Sequence, residues 1–188
     1  MSGKYYIDEK TERQVKELVT NKKGNVEIYG KTDISPSQSA TVILDKEHQL
    51  YAQQMKWGVL RYDGKGVFFS AKAERISSNR MYRESILCRR CLIPAKGFYL
   101  WDSYQKKYSF ERSDEDLLLM AGCYIRNRNQ ERFVILSEKA NKSILSVANY
   151  MPMVIDRKDI EKWVINYCAL ETFFHKSHVT LVRKEECA

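Results

Sequence analysis

The chain is poor in the residues that interrupt a fold, with three prolines and eight glycines in 188 residues. That scarcity excludes a Pro-rich spacer, a Gly/Ser tether and a collagen-like repeat, and no fixed-period repeat is found. No apolar run is long enough to cross a bilayer. Met1 to Tyr5 lack the apolar stretch of a secretory signal, so a cytoplasmic protein without membrane association is expected. The odd count of five cysteines, Cys88, Cys91, Cys123, Cys168 and Cys187, argues against a disulfide framework. The three histidines, His48, His175 and His178, have no catalytic partner near them in sequence. A G-x-S-x-G elbow, an H-E-x-x-H helix and a Gly-rich phosphate loop are all missing, and no cofactor is expected.

What the chain does have is apolar content and positive charge. Hydrophobic residues make up 44%, ample for a packed core, and the length fits one domain over 1–188. Thirty-two Lys and Arg against 24 Asp and Glu leave a formal charge of +8, which favours a polyanionic partner.

Helical spacing of Val15, Leu18 and Val19 predicts a helix from Asp8 to Thr20, with Thr11 and Gln14 resembling a capping box. Strand-type runs follow at Val26 to Tyr29, Thr41 to Leu44, Leu50 to Leu60 and Gly66 to Ser70. After a short helix over Asn79 to Ile86 come Arg90 to Ile93, Gly97 to Trp101, Lys107 to Phe110, Leu117 to Tyr124 and Arg132 to Leu136. Helices from about Lys139 to Val147 and from Arg157 to Ile165 flank Met153 to Ile155, and Val179 to Val182 is a last strand. The order predicts an α+β fold: a mainly antiparallel β-barrel or sandwich core with peripheral helices.

Cys88 and Cys91 form a CxxC, and His175 and His178 an HxxH, together a Cys2His2 ligand set. The halves are far apart, and two strand residues at that spacing point to opposite faces, so buried structural thiols and no metal are expected. A second pattern interleaves Trp57, Tyr62, Tyr82, Tyr99 and Trp101 with Lys56, Arg61, Lys72, Arg80, Arg83, Arg89 and Arg90. Aromatic faces stack on unpaired bases while cations track phosphates. Aromatics in strands are also ordinary core residues, and composition alone leaves both readings open.

Several segments, read in order, resemble the SRAP family of SOS response-associated peptidases, which shield abasic DNA. They are Met1-Ser2-Gly3-Lys4, Ser35-Pro36, Lys56-Trp57-Gly58-Val59 and Ser70-Ala71-Lys72-Ala73-Glu74. Most specific is Arg89-Arg90-Cys91-Leu92-Ile93-Pro94-Ala95-Lys96-Gly97-Phe98-Tyr99-Leu100-Trp101, similar to the family's RRCLIPADGFYEW signature. Leu119 to Tyr124, Phe133 to Asn141, Met151 to Ile155, Ile160 to Val164 and His178 to Val182 continue the match over nearly the whole chain.

The resemblance implies an SRAP-like fold with a basic groove for single-stranded DNA. In the family a cysteine exposed by removal of the initiator Met forms a thiazolidine with the abasic sugar. Here that position is Ser2, and a hydroxyl is a far poorer nucleophile than a thiol of pKa ~8.5. The family's Asn, Glu and His positions hold Ser70, Leu100 and Ala148, so the resemblance implies a degenerate catalytic set and a pseudoenzyme. It also implies DNA contacts at Pro36, Trp57, Lys72, Arg80, Arg83, Arg90 and Trp101, from a monomer. Two alternatives stay open: a weak enzyme forming an imine through the Ser2 α-amine, and a protein-interaction module on the same fold.

Overall fold

The computed structural model describes residues 3–20, 32–127, 130–166, 169–173 and 179–186. Strand β1 (Tyr5–Ile7) leads into helix α1 (Glu9–Leu18). The helix starts where the Asp8 carboxylate accepts from the Thr11 N–H at 2.8 Å, and the Thr11 hydroxyl accepts in return from the Asp8 N–H. This closes a capping box. The cap is therefore Asp8, with Thr11 as its partner, and not the Thr11 and Gln14 pair that spacing suggests.

Strands β2 (Thr32–Ile34), β3 (Ser39–Lys46) and β4 (Gln49–Trp57) come next, then β5 (Val59–Leu60), β6 (Val67–Phe68) and β7 (Ser70–Lys72). The single run expected over Leu50 to Leu60 is broken at Gly58, whose φ of +100° is closed to most side chains. The run expected at Val26 to Tyr29 lies outside the described residues. Helices α2 (Ala73–Ile76) and α3 (Arg83–Cys88) replace the one helix expected over Asn79 to Ile86.

The chain then builds β8 (Arg90–Ala95), β9 (Gly97–Trp101), β10 (Lys107–Arg112), β11 (Leu118–Asn127), β12 (Gln130–Lys139) and β13 (Tyr150–Pro152). A 3₁₀ turn over Arg157–Asp159 opens α4 (Ile160–Val164), and β14 (Leu181–Glu185) closes the order. The helix expected from Lys139 to Val147 does not form; after β12 the chain runs in turns. The Leu145 N–H donates to Asn141 O at 2.9 Å and the Ala148 N–H to Ile144 O at 3.0 Å, single turns that do not join into a helix.

One sheet has the order β14-β10-β9-β1-β2, and a larger one runs β11-β8-β3-β4-β12-β13 with β7 on β12 and a further β11–β12 pairing. Most neighbours are antiparallel; β12 pairs in parallel with β4 and β7. Strand alternation sorts the side chains into two cores. Val42, Leu44, Cys91, Ile93, Met120, Phe133 and Ile135 face Tyr5, Ile34, Phe98, Leu100 and Phe110 of the smaller sheet. Their neighbours Ile43, Leu92, Leu119, Ala121, Val134 and Leu136 pack instead with Val15, Ile76, Ile86 and Trp163 from the four helices. Covered on both faces, β8 is buried at every residue. The fold is α+β, mainly antiparallel and sandwich-like, with peripheral helices.

Gly97, opening β9, marks the closest approach in the small sheet: a Cβ there would lie 2.5 Å from Phe110 O and 2.5 Å from Tyr6 Oη. Asp8→Ala should cost about 1 kcal/mol through the lost cap, and Gly97→Ala about 1–3 kcal/mol through overpacking. Urea unfolding followed by tryptophan fluorescence measures both. A Gly97→Ala protein as stable as wild type would show that strand β1 has room to yield.

Candidate functional site

The backbone of the N-terminal strand runs over a small apolar ledge. A Cβ placed on Gly3, the residue bonded to Ser2, would lie 3.1 Å from Pro36 Cγ and 3.5 Å from Phe69 Cε2. Pro36 sits in a turn locked to β4, since the Ser37 N–H donates to Trp57 O at 2.7 Å and the Trp57 N–H to Gln38 O at 2.9 Å. Phe69 is pinned by its carbonyl, which accepts from Trp57 Nε1 at 2.8 Å and from the Ile135 N–H at 3.2 Å. Gly3, Pro36 and Phe69 therefore meet beside Ser70, the first residue of β7. Ser2 itself lies outside the described residues.

Trp57 holds this ledge from beneath. Its ring is 1% exposed, stacked on Phe133 with centroids 6.3 Å apart and tilted against Tyr5 at 5.1 Å. The resemblance implies a DNA contact for Trp57; in the structure its ring packs inside the core against Phe133 and Tyr5. Arg90, for which the resemblance implies the same, is also buried. It is 3% exposed, donates from Nε to Ile86 O at 2.8 Å and lies 4.8 Å over the Trp163 ring, tying α3 and α4 to β8.

Ser70 borders a cavity of about 450 Å³ walled by Tyr62, Phe68, Ile76 and Tyr82, with Lys72, Arg75 and Arg80 also lining it. Two of the cations expected from sequence, Lys72 and Arg80, are thus brought together with Ser70. Lys72 is partly engaged: its Nζ lies 3.0 Å from Tyr150 Oη, and that hydroxyl donates to Glu74 at 3.2 Å. Arg83 is exposed at the start of α3. Trp101 is half-buried and lies 6.3 Å from the Tyr99 ring. Neither is among the described residues lining the cavity.

Leu100 is 1% exposed, and Ala148 packs half-buried against the same core cluster that holds Leu100 and Trp57. Neither side chain carries a proton to give or take. Arg75 and Phe68 are cavity residues that sequence reasoning missed. Their only signal is position, flanking the Ser70 to Lys72 segment, and nothing local separates them from surface residues.

Among the described residues no group of three or more His, Cys, Asp and Glu could hold a metal ion; His175 and His178 lie outside them. Cys88 ends α3 and is exposed, while Cys91 is buried in β8. The two are therefore separated by a change of element, and strand alternation is not what divides them.

The match to known proteins agrees with this architecture. Residues 1–179 match the family model described as SOS response associated peptidase (SRAP). The chain belongs to the SRAP family. Its similarity to curated SRAP relatives is distant: it is 22% identical over 152 residues to the abasic site processing protein YoqW of Bacillus subtilis (strain 168), covering 73% of this chain and 68% of that protein. A crystal structure of a protein from Bordetella bronchiseptica shares the SRAP architecture at TM-score 0.82 and 17% identity, over 100% of both chains. A phage-related protein of that organism gives TM-score 0.75 at 17% identity, over 98% of this chain and 95% of the other.

Burial pushes the Cys91 thiol well above its usual value and the Cys123 thiol up to about 12. Both should resist iodoacetamide at pH ~8, where Cys88 is exposed to the reagent and should be modified. Peptide mass mapping checks this, and modification of native Cys91 or Cys123 at the rate of Cys88 would contradict it. Because the folded-state value of Cys123 is raised from 9.0 to about 12, its contribution to stability is present below pH 9 and is lost as the pH rises from there toward 12.

Proposed function

We propose that this chain is a cytoplasmic, monomeric SRAP protein that holds single-stranded or abasic DNA without forming a lasting covalent link to it. One observation carries the reading: the N-terminal backbone meets Pro36 and Phe69 beside Ser70, at the mouth of a cavity whose charged lining residues are Lys72, Arg75 and Arg80. A strand crossing this mouth would meet cations for its phosphates and have its sugar presented to the N-terminus. The similarity to YoqW, an abasic site processing protein, supports DNA as the polyanion.

The chemistry is reduced at each position that would move a proton or close a ring. Ser2 offers a hydroxyl in place of a thiol, and Ser70 cannot provide the amide pair of Asn. Leu100 and Ala148 cannot act as acid or base. With Trp57 and Arg90 assigned to the core, the DNA contacts proposed are Pro36, Lys72, Arg75, Arg80 and Arg83, with Trp101 at the margin.

If Lys72, Arg75, Arg80 and Arg83 each neutralise one phosphate, the slope of log affinity against log salt should be about −3. Gel-shift titration at two salt concentrations, with and without an abasic site, measures it. Ser2→Cys alone should restore crosslinking in part. The combined Ser2→Cys, Ser70→Asn, Leu100→Glu and Ala148→His protein should restore more. An absence of DNA binding at low salt would favour a protein-interaction module instead.

A further inference from the structure

The cavity beside Ser70 is larger than phosphate tracking requires. Its wall is apolar and aromatic, with Phe68, Ala71, Ile76, Met81 and Tyr82, and Tyr62 stands at 92% exposure on its border. Its charged lining residues are Lys72, Arg75 and Arg80, and no carboxylate is among the described residues that line it. Arg75 and Arg80 make no ion pair among the described residues, so their charge is uncommitted. A fourth cation, Arg61, lies 4.9 Å over the Phe68 ring.

Two polar groups in this wall are under-used. Tyr82 is 3% exposed, and its hydroxyl has no hydrogen-bond partner among the described residues, a costly state for a buried donor. Asn79 spends its Oδ1 on the Met81 N–H at 3.0 Å, which leaves the two amide N–H donors of its side chain. A flat, apolar ligand with acceptor atoms on its edge and an anion attached would satisfy the whole set.

We infer that this cavity takes an unstacked nucleotide of the bound strand, the one adjoining the lesion, with its base against Tyr62 and Phe68 and its phosphate on Arg75 and Arg80. On the DNA-binding reading above, the strand leaving Ser70 along β7 and α2 reaches the cavity next. Seating that base keeps the neighbouring abasic sugar unstacked and so contributes affinity at the lesion, independently of any covalent step.

The test uses the whole chain and two fluorescein-labelled oligothymidylates measured by anisotropy. One carries a single abasic site, and the other carries abasic sugars at that position and at both flanking positions. Wild type should bind the first about tenfold more tightly, the scale of one base–aromatic stack. Tyr62→Ala should bind the two alike. Tyr62 is almost fully exposed, so its replacement leaves the fold intact, and circular dichroism verifies this. An Arg75→Ala, Arg80→Ala protein should weaken both probes and flatten the salt slope by roughly 1.4, at about 0.7 for each single-strand phosphate contact.

Equal binding of both probes by wild type, or a difference retained in Tyr62→Ala, would overturn the cavity assignment while leaving the DNA-binding reading in place. No binding of either probe would overturn both. A parallel titration with thymidine 5′-monophosphate separates the sources. Binding of the free nucleotide without binding of either strand would make the cavity a mononucleotide site and contradict the strand assignment.

Discussion

The indole of Trp57 touches parts of the chain that are distant in sequence: Tyr5 of β1, Phe133 of β12 and, through Nε1, the carbonyl of Phe69 that precedes β7. Its own backbone is bonded on both sides to the Ser37–Gln38 turn. Removing a large buried ring of this kind costs about 3–5 kcal/mol. The consequence here is local as well as global. Through Trp57 the small sheet, the large sheet and the Pro36 turn come into register, and that register sets Gly3 against Pro36 and Phe69. The site is a product of core packing more than of any surface motif.

This constraint separates two demands that a single aromatic residue cannot meet together. An indole stacked on a base must present one face to solvent, whereas an indole that joins two sheets must surrender both. In this chain the second demand prevails: the Trp57 ring is 1% exposed, while Tyr62 stands at 92% exposure. Arg90 illustrates the same division for charge: a guanidinium that caps the Ile86 carbonyl and covers Trp163 is not available to a phosphate. Lys72 ends β7 beside the Tyr150 hydroxyl, whereas Arg75, Arg80 and Arg83 lie on or between the short helices α2 and α3.

Where a local rule acts alone, the sequence was readable. Gly97–Trp101 is a strand with the bounds its pattern predicts, because Phe98 and Leu100 alternate with Tyr99 and Trp101. Asp8 to Thr20 is helical at its centre, and only the capping partner differed. Where apolar spacing was the only guide, the expectation failed: spacing over Lys139 to Val147 suits a helix, but the chain there makes only isolated turns. The cavity was the least legible feature. Tyr62 and Arg80 belong to the aromatic and cationic pattern of the sequence, but Arg75 and Phe68 carry no such signal, and only the fold of β6, β7 and α2 gathers the four. That Ser2, Ser70, Leu100 and Ala148 stand where the resemblance expects Cys, Asn, Glu and His could be named from motif order alone, yet where Ser70, Leu100 and Ala148 lie depends on the folded chain.

The proposed function is retention of a DNA-holding surface without lasting covalent chemistry. Intact-protein mass spectrometry after incubation with abasic single-stranded DNA, with and without borohydride, tests it most directly. The expected result is the unmodified protein mass without reductant. A protein–DNA adduct formed without reductant would contradict it, whereas an adduct seen only with borohydride would show a transient imine at a protein amine, the alternative that the Ser2 α-amine leaves open.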